Sequence, residues 1–251
     1  MVEHSGNAPS LPPLGGCLRR VWKKWFWNAY DHAGTLVVVN LLWVLGSLLL
    51  ITLPASTAGL FYVTGRMAAY REVRLRDFFV GCRDYHWRGL RLCGLYGLTA
   101  TVLAVNVWFY GRLAGSWQWA GVILGGGMIW GMAFIGLTGV YAFPLLVQTN
   151  ETIRVIVKKS ALLVLDNLRY TGALGGCGVV VLVIGGITGA GVVLVAVAVV
   201  SLLFSTGLRE VLKKYVSLEG EDAGQFLPQP TTDPEESRGW RDLIRPWDYR
   251  P

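Results

Sequence analysis

The chain has 251 residues, 53% hydrophobic and only 16% charged, with 32 glycines and a mean hydropathy of +0.45. Residues 32–65, 92–111, 113–150 and 170–208 contain no Asp, Glu, Lys or Arg, and a bilayer-spanning helix needs about 20 apolar residues. That pattern describes a polytopic membrane protein and excludes a soluble globular enzyme; the net charge of +7 is then assigned to loops on one side of a bilayer and not to nucleic-acid binding.

Residues 1–17 are rich in Gly, Pro and Ser and are expected to be a disordered N-terminal segment with no cleavable signal. From Leu18 a helical spacing appears: Leu18, Val21, Trp22, Trp25, Phe26, Ala29 and Tyr30 on one face, and Arg19, Arg20, Lys23, Lys24 and Asn28 on the other. This reads as an amphipathic helix in the headgroup region, in preference to a calmodulin-type target. A first span follows over about 35–53 and ends at Pro54. Ser56 or Thr57 then caps a short apolar helix to Tyr70 that contains only Arg66 as a charge. Residues 71–89 are basic with an apolar face and read as a second interfacial helix. Further spans are expected at 90–111 and within 120–147, and a third amphipathic segment at 150–169. The uncharged block 170–208 is nearly 60 Å long as helix, enough for two spans (171–186 and 190–208) turning at Gly185–Gly191. Residues 216–251 form an acidic, Pro-containing tail expected to be mobile.

Charge distribution sets the expected sidedness. If 55–70 crosses the membrane, the basic residues before the first span, at 70–89, at 149–170 and after Gly207 all share one face, and only Arg112 opposes them. The reading is six transmembrane helices, the second one short, with both termini cytoplasmic. Arg66 then snorkels to the cytoplasmic headgroups.

Chemistry-bearing residues are sparse. The spans hold no Asp or Glu, which argues against a carboxylate proton relay. Asn40, Arg66 and Asn106 form the candidate intramembrane polar site, with Pro54, Ser56 and Thr57 as a helix-break motif; interhelical hydrogen bonding is the plainer role of the two asparagines. Gly121/Gly125, Gly127/Gly131 and Gly172/Gly176 have the spacing of close helix packing. The three histidines are isolated, and Cys17, Cys82, Cys93 and Cys177 lack ligand spacing, so no metal, cofactor or catalytic residue is expected. Tryptophans gather near span ends, with Trp117 and Trp119 on an outer link where they could stack on a carbohydrate.

The stretch Asn40–Met67 (NLLWVLGSLLLITLPASTAGLFYVTGRM) resembles the YesL-like family of bacterial membrane proteins, a domain of unknown function. Asn40, Leu41, Leu42, Trp43, Pro54, Ser56, Thr57, Ala58, Leu60, Tyr62 and Arg66 carry the likeness, and 76–90 and 142–147 fit it. The segment ITLPA departs from the family's usual sequence before the turn. The resemblance implies a polytopic inner-membrane protein with an accessory part in carbohydrate uptake, and brings no catalytic residues with it.

The expectation is therefore an all-α helical bundle, one transmembrane domain over 18–215, in the bacterial inner membrane. Its function is a non-enzymatic accessory or regulatory one, with the bilayer and a membrane transporter as partners and no nucleic acid. The alternative is a small-solute transporter or channel with a site near the broken helix pair around Pro54.

Overall fold

A computed structural model describes residues 14–49, 51–113, 118–189 and 191–219. Within them are eight α-helices: α1 (Leu14–Asp31), α2 (Ala33–Ser47), α3 (Leu53–Ala68), α4 (Arg76–Leu113), α5 (Gln118–Gln148), α6 (Ile153–Asp166), α7 (Leu168–Thr188) and α8 (Val197–Glu219), the last preceded by a π-helical turn, Val192–Ala196. No strand occurs among the described residues. Residues 1–13, most of the 216–251 tail and Trp117 lie outside the described residues, as does the expected disorder of the two ends.

Four helices are long and apolar enough to cross a membrane, those over Arg76–Arg112, Gly121–Gln148, Leu168–Thr188 and Leu194–Lys213; α1 and α2, bent by 83° at His32, would add a fifth if counted as one span. With 15 and 16 residues, α2 and α3 are each only about 23 Å long, short of a hydrocarbon core of roughly 30 Å.

One of the two short apolar helices, α3, is the most enclosed. Eleven residues of α3 are buried, from Pro54 to Ala68, because α2, α4, α5 and α8 surround it. Along α4 the contact is backbone to backbone. A Cβ on Gly81 would stand 2.9 Å from Gly59 Cα and 2.7 Å from Tyr62 Cβ; one on Gly59 would meet Phe78 O at 2.7 Å; one on Gly89 would meet Pro54 O at 3.0 Å. The pairing of Pro54 with Gly89 and of Arg66 with Asp77 (3.5 Å) makes the two helices antiparallel. Leu36, Val39, Leu60, Val63, Met67, Ala198 and Leu202 close one apolar core there, and Tyr141, Leu145, Leu146, Ile156, Leu174 and Leu203 close a second under α5–α8.

Beyond Gly89, α4 continues with α5 as a long hairpin whose apolar side chains (Leu98, Val105, Trp108, Ile123, Trp130) are exposed. Residues 76–89 are therefore not a separate interfacial helix: nothing breaks the i→i−4 ladder between His86 and Leu95, and the basic half and the apolar half are one rod of 38 residues. Likewise α5 is a single helix with Pro144 inside it. The segment 150–169 is interrupted at Asn167, whose backbone leaves the helical region (φ −124°, ψ 42°). The turn after α7 is made at Gly189 (φ 62°), a left-handed position that glycine takes without strain.

The face of α1 that packs is not the face its sequence suggests. Val21, Lys24, Trp27 and Asn28 are buried, while Trp22, Phe26 and Tyr30 are exposed. Two polar side chains turn inward because partners meet them there, Glu210 for Lys24 and the Met67 carbonyl for Asn28. The exposed aromatic row suits the bilayer interface.

At the far end of the bundle the Tyr215 hydroxyl donates to Asp166 and accepts from Asn167 at 2.8 Å, tying α8 to the α6–α7 corner; burial and the neighbouring carboxylate push the phenol up to about 12.

Gly81→Ala should lower the melting temperature in detergent, with an overpacking cost of about 1–3 kcal/mol. Gly97→Ala, facing open space, should leave it level or raise it by helix propensity alone.

Candidate functional site

α8 presents polar groups at Ala198, Ser201, Ser205 and Arg209, successive positions three or four residues apart and so on one helical face. This face meets α2, α3 and α1. Asn40, fully buried on α2, accepts a hydrogen bond through Oδ1 from the Ala198 backbone N–H at 2.9 Å. The bond falls two residues past the π-helical turn, where a change of helical register leaves backbone groups to be satisfied from outside the ladder. Next, Ser201 Oγ donates to Thr64 Oγ1 at 3.2 Å, and Thr64 and Ser205 share a bond of 3.3 Å. Arg209 donates to the Ala68 carbonyl at the end of α3.

The seam ends in a buried ion pair. Lys24 Nζ lies 3.0 Å from Glu210 Oε1, with side chains 7% and 8% exposed, and Lys213 adds a contact of 3.4 Å. Trp25 Nε1 donates to the Val199 carbonyl and Asn28 Nδ2 to that of Met67, both at 3.0 Å. Asn28 Oδ1 and Thr206 Oγ1, buried close by in sequence to these groups, have no hydrogen-bond partner.

The sequence-derived candidates are dispersed. Of the three polar ones, Asn40 alone enters this seam. Arg66, near the end of α3, reaches the following loop: Nη2 donates to Glu72 O at 2.8 Å, Nε to the same carbonyl at 3.3 Å, and the guanidinium pairs with Asp77. Among the described residues Asn106 bonds its own helix, Nδ2 to Val102 O at 2.7 Å. It stands 17 residues beyond Gly89, about 25 Å along α4 from the Pro54 end of α3. No single site contains all three.

Pro54 of the helix-break motif occupies the first turn of α3, and neither Ser56 nor Thr57 caps the helix. The preceding Thr52 is the boundary residue and turns its hydroxyl back to Leu49 O and Gly46 O. Starting the helix one residue before the proline puts Ser56 and Thr57 inside it. Thr57 Oγ1 bonds Leu53 O and accepts from Trp43 Nε1 at 3.1 Å, while Ser56 is buried against Gly46.

Lys24, Glu210, Thr64, Ser201 and Ser205 were not singled out from sequence. The signal for the hydroxyls was present, since the α8 polar positions repeat at helical spacing inside an apolar stretch. Nothing local marks Lys24 and Glu210, which are 186 residues apart.

Chemically, the Asn40 amide, the hydroxyls of Thr64, Ser201 and Ser205 and the Lys24–Glu210 pair are each committed to a neighbour, and the seam suits helix registration more than bond-making. Among the described residues no group of three or more His, Cys, Asp or Glu is placed to hold a metal.

Of the small-residue pairs, Gly125 meets Tyr110 Cβ at 3.8 Å and Gly131 meets Leu103 at 3.7 Å, whereas Gly127, Gly172 and Gly176 face open space. Gly121 is buried as well, so in-chain packing of α5 uses the Gly121/Gly125 pair and one member of Gly127/Gly131, and among the described residues nothing packs on the α7 pair.

Residues 36–107, which comprise most of α2, all of α3 and most of α4, match the model of a family described as a protein of unknown function, DUF624. No curated protein and no solved structure matches the chain.

Asn40→Leu, which orphans the buried Ala198 N–H, should cost about 1–3 kcal/mol of stability in detergent. Asn106→Leu should cost far less, so that comparable melting temperatures for the two variants would refute the assignment of Asn40 to the seam.

Proposed function

We propose that the protein is a non-enzymatic accessory component of the YesL-like kind, seated in a bacterial inner membrane with both termini cytoplasmic and docked on a membrane protein of carbohydrate uptake. The observation that carries the docking is the outer surface of the α4–α5 hairpin and α7. Gly94, Gly97, Gly126, Gly127, Gly136, Gly172, Gly176 and Gly186 have no heavy atom within 4 Å of where a Cβ would stand, and exposed Val179, Val183, Ile184, Ile123 and Trp130 flank them. Glycines open to lipid let a partner's helix approach backbone to backbone, where dispersion and small-residue packing drive association. The carbohydrate link rests on the family resemblance.

The topology consistent with this reading is a re-entrant α2–α3 hairpin beside four spans. α3 runs along residues 77–89 of α4, where Arg83 and Asp84 are exposed. Were α3 a crossing, those charges would face lipid near mid-bilayer, an expensive placement. A hairpin that dips in and returns keeps every basic loop on one side as well as two crossings would.

A second reading, a small-solute transporter, is favoured by the π-helical turn beside Asn40, since interrupted helices bordered by polar groups line some transport sites.

Tagged protein extracted in mild detergent should co-purify with a membrane protein in stoichiometric amount, and Gly172→Leu/Gly176→Leu should lose it. A clean monomer from wild type, or solute uptake by proteoliposomes of the purified protein that Asn40→Leu abolishes, favours the transporter. In a background without the native cysteines, Leu49→Cys should resist a membrane-impermeant thiol reagent added outside; rapid external labelling would restore the six-crossing topology.

A further inference from the structure

A groove of about 460 Å³ opens between the start of α3 and the first half of α4, lined by Ala55, Phe79, Cys82, Arg83, His86 and Trp87. The five α4 residues follow i, i+3, i+4, i+7, i+8 spacing and so form one face of the helix. Two features of this face are unusual for a surface that meets only water. Phe79 and Trp87 are 58% and 68% exposed, a pair of large rings bracketing a cation. Arg83 and, one turn beyond Trp87, Arg91 are also exposed, and among the described residues no carboxylate lies within salt-bridge distance of either. Asp84, the nearest acid in sequence, is one residue from Arg83 and therefore about 100° round the helix.

Position along α4 says what such a groove faces. Residues 92–111 are uncharged, and Leu95 and Leu98, exposed on the continuation of the same face, run on from Arg91 into that stretch. Ile51, four residues before Ala55 in the turn between α2 and α3, is also exposed. The groove thus sits where α4 changes from charged to apolar, the level at which headgroups and interfacial aromatics lie.

We infer that this groove is a binding site for an anionic glycerophospholipid. Its phosphate lies between Arg83 and Arg91 beside His86, its glycerol region stands against Trp87 and Phe79, and its acyl chains run along Leu95 and Leu98. A guanidinium and a phosphodiester form charge-assisted hydrogen bonds, and basic pockets at this depth select anionic headgroups. A free phosphate would meet the same cations but leave the two rings and the apolar track uncovered, whereas a lipid covers both. The headgroup end at Arg83, His86 and Trp87 is separate from the partner-docking surface, whereas the acyl track at Leu95 and Leu98 runs beside its Gly94 and Gly97.

The test is native mass spectrometry of the full chain from micelles doped with equal phosphatidylglycerol and phosphatidylcholine. Wild type should retain phosphatidylglycerol over phosphatidylcholine by about tenfold, or ~1.4 kcal/mol, because both carry the phosphodiester but the choline cation of the second is repelled by Arg83 and Arg91. Arg83→Gln and Trp87→Ala should each remove most of that preference at an unchanged melting temperature in lipid-free detergent. Arg154→Gln, an exposed cation on α6, should keep it. Equal retention of the two lipids, an Arg83→Gln protein that still prefers phosphatidylglycerol, or displacement of the lipid by inorganic phosphate would each overturn the proposal.

Discussion

Close backbone contact between α3 and the first half of α4, at Gly59, Gly81 and Gly89, governs how the rest of the chain can be arranged. Without side chains between them, the two helices lie near enough for α3 to be enclosed on its remaining sides by α2, α5 and α8. A 16-residue apolar helix has little stability of its own; wrapped in this way it becomes the element against which α2, α5 and α8 all pack. The same contact ties α3 to the charged half of α4, and this bears on where the hairpin can sit relative to a bilayer.

The basic residues turn out to have structural duties as well as an orienting one. Arg66 holds the α3–α4 loop through Glu72 O, Arg88 holds the α5–α6 linker through the carbonyls of Thr149 and Glu151, and Arg209 holds the end of α3 through Ala68 O. Each satisfies carbonyls at a helix end or linker, groups that have no partner within a helix. Guanidinium suits the task because it carries several donors in a fixed fork. Lys24 and Glu210 complete the pattern by fastening α1 to α8 through a buried pair. Such a pair registers the two helices more than it adds net stability, and losing one partner would leave a charge stranded.

Legibility differed by kind of feature. Helix positions were readable, because long uncharged blocks and Pro54 leave few choices. Helix limits were less so: the chain shows no boundary between 76–89 and 90–111, since a change from charged to apolar composition does not end a helix when no Gly-Pro or capping signal accompanies it. The inward face of α1 is not legible in the sequence, because Lys24 and Asn28 look like solvent-facing residues until Glu210 and Met67 O are brought to them. Asn40 is legible in the sequence as a polar residue within an apolar span; its partner, a backbone N–H past a π-helical turn 158 residues away, has no sequence signature. Asn106 carried the same local signal and simply bonds its own helix.

From the sequence alone come the membrane class, the all-helical architecture and the clustering of positive charge, because each depends on composition and period, which are local properties. Which helices are long enough to cross, that α3 is the enclosed one, that Arg66 serves a loop and that the candidate polar residues do not converge were decided by tertiary packing. The reason is that burial and pairing depend on what a distant segment brings alongside. In an apolar chain with so many interchangeable Leu, Val and Gly positions, only the close approaches and the few polar partners choose among the arrangements the composition permits.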